Sequence, residues 1–496
     1  MPIVRPEFLR VSGTRIVDGN GVPVRLRGIG LAGWLLMENW ITGFPGHEEG
    51  QENSIRQVLG PELTRFFYDR FIEHFFTEQD AAYIASLGIN AIRVPFHYKF
   101  FESDDAPFEI DPAGFRHLDR VVRQCAKYGI RTILDLHAVP GYQNQDWHAD
   151  NPSHVAHFWR HPHFQDRVIN LWRALATHYR DDPWIVGYNP LNEPADPTAL
   201  RVGPYYRRLV EAIREIDENH IIFLDGNRYA MDFHFFGDPT PNVIYSPHDY
   251  PPPGFMPGGR YPGTFRLMHV TAPEEGSDQD VKSSPDYWDK AAIEEGFLER
   301  ADYMRQTGTP IVVGEFNAVF NVDAETQRMR LHLLADQLDI YDKYEASWLY
   351  WSYKDIGIAA PLTVDPQSPW MRRIRPMVEK KSRLAADLWG GDPNRIAQVL
   401  DPVRAVFANE FPDYCPFPWG ADFRINRLIP HTLFSEALQS EFGELFRGMD
   451  EEAIDEMMRS FRLENCQRRE PLVALLSGTG EAASAAGLEA APVAVN

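Results

Sequence analysis

From about residue 24 to about residue 355 the chain alternates short apolar runs with amphipathic stretches, and this rhythm constrains the fold more than any other feature. Apolar, β-branched-rich runs bounded by Gly or Pro fall at 24–30, 89–95, 130–136, 184–189, 220–224, 242–247, 310–314 and 346–351. Runs of this kind, apolar on both faces, read as buried parallel strands. Between them, 77–87, 113–128, 164–179, 202–216, 290–306 and 324–343 carry helical periodicity. Gly88 and Gly129 stand where helix-ending glycines belong, just before a strand. Eight strands alternating with helices predict a parallel (β/α)8 barrel, the TIM-barrel architecture, over an open sheet.

Other segments fill in the plan. Residues 11–23 read as a β-hairpin around the Gly19-Asn20-Gly21 turn, placed to plug the barrel floor. Long connections at 41–62, 138–163 and 249–289 each follow a strand, so they lie at the active face. The expected division is a barrel with its hairpin over 1–365, a helical extension packed on it over 366–470, and a disordered tail over 471–496.

The two most telling residues are Glu193, closing Trp-Ile-Val-Gly-Tyr-Asn-Pro-Leu-Asn-Glu-Pro, and Glu315, closing Pro-Ile-Val-Val-Gly-Glu-Phe-Asn. The carboxyl ends of barrel strands are where such folds keep their chemistry. Two carboxylates there meet the need of retaining glycoside hydrolysis, one as acid/base and one as nucleophile. Other strand ends carry polar or aromatic side chains aimed at the same rim: Arg93, His137, Asn192, His248, Tyr250 and Trp351. A structural reading accounts for any one of them, but not easily for six on one rim.

Bulk properties remove competing classes. The net charge of −22 disfavours nucleic acid and anionic membrane surfaces as partners. Three cysteines without metal-like spacing argue against a disulfide scaffold or a zinc site. No run has the length of a membrane span, and the opening residues lack a secretory signal's apolar segment, so the expected location is cytoplasmic. Aromatic content of 13% suits stacking on sugar rings. The expected partner is a carbohydrate or glycoside, with neither cofactor nor metal, and the C-terminal helices leave room for a homo-oligomer.

With these motifs in their order, Arg93, His137, Asn192-Glu193-Pro194, His248-Asp249-Tyr250, Gly314-Glu315-Phe316 and Trp351, the chain resembles glycoside hydrolase family 5 over residues 22 to about 357. Residues 25–40 and 137–144 are similar to the exo-acting β-1,3-glucanases and related glucosidases. The chain departs from those enzymes at Ala32, Ala138 and Tyr142, in the Trp147-His148-Ala149-Asp150 loop, and in its C-terminal extension. The resemblance implies Glu193 as acid/base and Glu315 as nucleophile. It implies that Arg93 and Tyr250 keep Glu315 ionised, that Asn192 bonds the sugar 2-hydroxyl, and that His248 positions the acid/base. His137 and Glu38 would hold other hydroxyls, and Trp351 would floor the sugar.

Asn144, Trp147 and His148 are further substrate-binding candidates, and at least one of Trp147 and His148 is expected to close the pocket at the sugar's non-reducing end. With Tyr142 and Trp159 they suit a walled pocket. The expected activity is an exo-acting retaining β-glycosidase on oligosaccharides or small β-glycosides. The alternatives are an endo-β-glucanase, a glycolipid β-glucosidase, or a non-catalytic carbohydrate-binding protein on the same fold.

Overall fold

The computed structural model describes residues 6–265, 287–386, 389 and 391–478. Eight parallel strands form one sheet: β1 (Arg27–Gly30), β2 (Ala91–His97), β3 (Arg131–Ala138), β4 (Ile185–Asn189), β5 (Ile221–Leu224), β6 (Val243–Tyr245), β7 (Val312–Phe316) and β8 (Ser347–Tyr350). Each pairs with its sequence neighbour, and β8 pairs with β1. The ring closes between β6 and β7 through a parallel bridge of His248 with Glu315, with Asp249 N donating to Glu315 O at 2.8 Å. The chain is a (β/α)8 barrel. All eight expected strands are present.

Alternation along the strands builds the barrel's interior in layers. Ala91, Ile133, Val186, Ile221, Ile244, Val312 and Leu349 fill the floor together with Leu9 and Ile16 from the N-terminal hairpin. That hairpin pairs Arg10–Ser12 with Arg15–Val17. Its turn therefore lies at Gly13-Thr14. Gly19-Asn20-Gly21 forms a second reversal, capped by Asp18, whose carboxylate accepts from the amides of Asn20 and Val22. Above the floor the inward positions become polar: Arg93 lies two residues beyond Ala91, and Asp135 and His137 lie two and four residues beyond Ile133.

The register of β7 with β8 shifts between Val313 and Phe316. An extra residue of this kind redirects a side chain. Val313 and Phe316 join the outer core, and Glu315 is turned to the inside. Gly314 beside it has no room for a side chain: a Cβ there would lie 2.5 Å from Ser246 Oγ and 3.0 Å from His248 Nε2.

Two further expectations are corrected. Residues 48–62 of the first long connection belong to α1 (Glu48–Phe75), which kinks at Gly60-Pro61; Gly60 has φ 77° and ψ 168°. A Gly-Pro pair looks like a terminus in sequence, but Pro61 starts a second helical run at the position that tolerates it. Residues 471–477, expected in the tail, are helical. Glu470–Ser477 is a helix burying Leu472, Val473 and Leu476, and 479–496 lie outside the described residues. Of the third connection, 266–286 lie outside the described residues as well.

The chain beyond β8 returns to the barrel repeatedly. Strand Leu362–Val364 pairs antiparallel with Cys466–Arg468. Helices Ser435–Glu444 and Glu451–Met458 pack on α1. Buried Lys354 ties the parts together, donating to Asp80 Oδ1 at 2.9 Å and to the carbonyls of Phe75 and Phe461. No described helix is long and apolar enough to cross a membrane.

Candidate active site

Glu193 follows β4 and Glu315 ends β7, and both are buried at the carboxyl face of the barrel. One carboxylate oxygen of each, with a ring nitrogen of His248, lie within 4.8 Å of one another. The surroundings of the two carboxylates differ sharply.

Glu315 is held by a fixed cation and a hydroxyl. Arg93 Nη1 donates to its Oε1 at 2.5 Å, and the Tyr250 hydroxyl donates to its Oε2 at 2.7 Å. Arg93 is itself over-determined. It donates to Asn189 Oδ1 and Asn192 Oδ1, sits 3.1 Å from Asp135 Oδ2, and lies over the Trp351 ring at 5.5 Å. Burial works to lower the pKa of this guanidinium, but Asp135, Glu315 and Asp225 raise it above the ordinary value. Burial pushes Asp135 up to about 7 even against Arg93.

Glu193 is held instead by groups that exchange protons. His248 Nδ1 lies 2.6 Å from its Oε1, and His148 Nε2 lies 3.2 Å from its Oε2. The backbone is held too: its N–H donates to Asp225 Oδ2 at 3.0 Å and its carbonyl accepts from Asn144 Nδ2 at 3.1 Å. These contacts hold Glu193 at φ 44°, a left-handed conformation costly for a residue with a side chain. Burial works to raise its carboxyl, but the bonds from His148 and His248 hold it below the ordinary range. Both histidines, against burial, are raised to about 9; Glu193 is the main partner of His148, while Glu315 and Asp225 act with it on His248.

His137 has a fixed tautomer. Its Nδ1 faces Asp135 Oδ2 at 2.7 Å, so Nε2 is left to accept from Asn192 Nδ2 at 3.1 Å. Burial lowers it well below its usual value, which keeps it neutral. Its ring stacks on Trp351, with centroids 5.2 Å apart and planes 6° from parallel. Gly30 on β1 makes room for that indole, since a Cβ there would lie 2.5 Å from Trp351 Cε3.

The structure gathers Glu38, Arg93, His137, Asn192, His248, Tyr250, Trp351 and His148 around the two glutamates. Glu38 is buried, accepts from Trp40 Nε1 at 2.7 Å, and leaves Oε1 without a hydrogen-bond partner. Burial pushes its carboxyl up to about 8, against the pull of His148.

Asn144 and Trp147 depart from their expected roles. The Asn144 amide donates to the Glu193 carbonyl at 3.1 Å and its nitrogen lies 2.8 Å from His148 Nε2, so it braces the site from behind. Trp147 turns to the C-terminal extension, its ring 4.7 Å from that of His431 and under the Arg427 guanidinium. Trp159 is packed on Phe158 and Tyr205, its Nε1 donating to Gln143 O. Tyr142 lines a separate cavity of about 330 Å³ between the 142–154 loop and the extension.

Several residues of the site went unnoticed in the sequence. Asp225 directly follows β5, whose apolar run shows no polar exception before it ends. Asp135 and Asn189 were visible in Leu-Asp-Leu-His and Gly-Tyr-Asn-Pro as polar residues inside apolar runs. Trp389 carried no local signal at all. It comes from the extension and packs against Trp40, Tyr250 and Phe255, with centroids 5.4–5.5 Å away.

The sequence model described as "Cellulase (glycosyl hydrolase family 5)" matches residues 50–357, the span that contains this arrangement from Arg93 to Trp351. The chain belongs to glycoside hydrolase family 5. A "Beta-xylosidase" of Phanerodontia chrysosporium is 42% identical over 485 residues, 95% of this chain and 98% of that protein. "Endoglucanase C" of Acetivibrio thermocellus is 27% identical over 325 residues, 60% of this chain and 90% of the relative. As a family 5 member the protein is a glycoside hydrolase, and a carbohydrate is its substrate class. The first of these relatives is matched almost end to end, so the similarity includes the extension that supplies Trp389 and Arg427.

Proposed function

We propose that the protein is a retaining, exo-acting β-glycosidase that removes one terminal sugar at a time from short oligosaccharides or small β-glycosides. The observation that carries this reading is the pair Glu193 and Glu315, with oxygens within 4.8 Å and unlike surroundings. A retaining enzyme places its carboxyl groups about 5–5.5 Å apart, whereas an inverting one leaves about 6.5–9.5 Å for a water molecule.

In this reading Glu315 is the nucleophile. Arg93 and Tyr250 favour its anionic form and aim it at the anomeric carbon. Glu193 protonates the departing glycosidic oxygen while Glu315 forms a bond to that carbon. Water then attacks the same carbon, Glu193 takes the water's proton, and the Glu315 ester is released. The imidazoles on both oxygens of Glu193, raised to about 9, carry protons that they can give to this carboxyl and take back, which suits a group that must act as acid and then as base. Trp351 supplies an apolar face for the sugar ring. Glu38 Oε1, buried and unpartnered, calls for a hydroxyl of the bound sugar.

Exo action is supported by the walls. Trp40, Trp389, Tyr250 and Phe255 form a continuous aromatic side next to Trp351, and His148 reaches Glu193 from the opposite loop. The β-xylosidase name of the long-matching relative points to a terminal xylose as the first sugar to try, ahead of glucose. Aryl β-xyloside, β-glucoside, β-mannoside and β-galactoside, followed by an oligosaccharide digest, test the proposal. One monosaccharide released from the first time point is expected. Mixed oligomers at the start would make the enzyme endo-acting.

A further inference from the structure

The loop that brings His148 to Glu193 is anchored at both ends, by two different parts of the molecule. At its far end Asp150 is buried and bound by the barrel side: His47 Nδ1 at 2.9 Å, His97 Nε2 at 3.0 Å, Lys99 Nζ at 3.0 Å and the Glu49 amide at 2.9 Å. At its near end Asp146 is bound by Arg427 of the C-terminal extension. Arg427 Nη2 donates to Oδ2 at 3.0 Å, and Nε lies 2.6 Å from Oδ1 as a charge contact without hydrogen-bond alignment, so one hydrogen bond and one close ion-pair contact hold the carboxylate. Between these anchors the short turn Trp147–Ala149 carries His148.

Arg427 is buried and its other contacts grip the same turn. Its guanidinium lies over the Trp147 ring at 5.5 Å and over Phe423 at 4.3 Å, and Nη1 lies 2.8 Å from His431 Nδ1. Burial and then Arg427 itself hold His431 neutral, so it accepts that bond and packs its ring on Trp147. A buried ion pair of this kind adds little net stability, because desolvating both charges offsets much of their attraction. Its geometric effect is larger: it fixes where the turn sits, and so where His148 sits.

We propose that Arg427 is a positioning residue for catalysis, holding the Asp146–Ala149 turn so that His148 keeps the Glu193 carboxyl aligned with the leaving oxygen. The C-terminal extension is then part of what makes the acid/base work, through the path Arg427, Asp146 and Trp147, His148, Glu193. The inference rests on Glu193 being the acid/base.

The test compares kcat/KM on two glycosides of the sugar that the enzyme cleaves, a dinitrophenyl glycoside that needs little protonation and a methyl glycoside that needs much. The proteins are the full chain, R427M, H148N, the double variant, and E193A. R427M and H148N are each expected to lose about tenfold or more on the methyl glycoside and about threefold or less on the dinitrophenyl one, and the double variant to be no worse than the weaker single one. Equal losses on both substrates, or single losses that multiply in the double variant, would overturn the proposal. Should R427M fail to fold, R427K and D146N carry the same comparison, because each disturbs the Arg427–Asp146 pair with less loss of packing. If E193A itself shows no such bias, the acid/base reading fails; if E193A shows it and R427M does not, only the role of Arg427 fails.

Discussion

His248 Nδ1 lies 2.6 Å from Glu193 Oε1, and the same nitrogen lies 3.5 Å from Glu315 Oε2. One imidazole thus stands at the junction of the two carboxylates and favours the one that must exchange protons. Glu315, by contrast, is bound at short range by groups that do not lose charge or hydrogen near neutral pH, Arg93 and Tyr250. The division of labour proposed for the pair follows from this difference.

Removing the two glutamates should give unlike enzymes. E315Q is expected to lose turnover of every substrate, because no other described carboxylate shares its contact with Arg93 Nη1 and Tyr250. E193A should fall by about 10²–10⁴ on unactivated glycosides while retaining the first step on activated ones, as expected for a lost general acid. Steady-state and burst kinetics on a dinitrophenyl glycoside check this. Indistinguishable behaviour of the two variants would refute the roles.

Tyr250→Phe removes a single hydrogen bond to a charged group, worth about 1.5–3 kcal/mol. The expected loss is roughly tenfold to a hundredfold in kcat/KM, with the fold and the aromatic wall against Trp389 preserved. An unchanged kcat/KM would show that the Tyr250–Glu315 contact does not serve catalysis.

How far the sequence carried the fold and the site depended on how local the cause was. The eight strands were legible because a doubly buried strand has to be apolar along its length. Arg93, His137, Asn192, His248 and Tyr250 were legible as polar exceptions where such runs end. Glu315 illustrates the limit: its position at a strand end was visible, but the register shift that turns it inward arises from pairing with β8 and leaves no mark in alternation. Gly60-Pro61 shows local chemistry misleading, since a pair that commonly ends helices here joins two of them. Trp389 and Arg427 reach the site from far along the chain, and Trp147 is drawn to the extension by Arg427 and His431. No short-range pattern encodes such contacts.

Stability should depend on pH in a direction set by the site. His148 and His248 rise from 6.5 to about 9 in the fold, so the stability from their charged forms is complete below about 6.5 and lost as pH climbs to 9. Glu38 rises from 4.5 to about 8, so its contribution is complete below 4.5 and also lost as pH rises. Glu193 is depressed and acts oppositely, its contribution present above 4.5 and lost in acid. The Tm of the unliganded enzyme should therefore fall between pH 6.5 and 9, and E38Q should flatten the part of that fall below about pH 8. An identical slope for E38Q would remove Glu38 from this account.

The aromatic wall makes a further prediction. Trp389→Ala opens the side next to Trp40 and Tyr250 without touching either glutamate. It should raise KM for small glycosides more than it lowers kcat, and it should let oligosaccharides bind with sugars on both sides of the cleaved bond. Product profiles from a xylo- or gluco-oligosaccharide read this directly. Unchanged KM and products would mean that the wall does not border the sugar.

The central claim is that Glu315 becomes covalently bonded to the anomeric carbon, and trapping that intermediate tests it most directly. The enzyme is incubated with a 2-deoxy-2-fluoro glycoside bearing a good leaving group, digested, and mapped by peptide mass spectrometry. One fluorosugar is expected on the peptide containing Glu315, and none in E315Q. A label on another residue, or no adduct together with a first-formed product of inverted anomeric configuration, would contradict the claim.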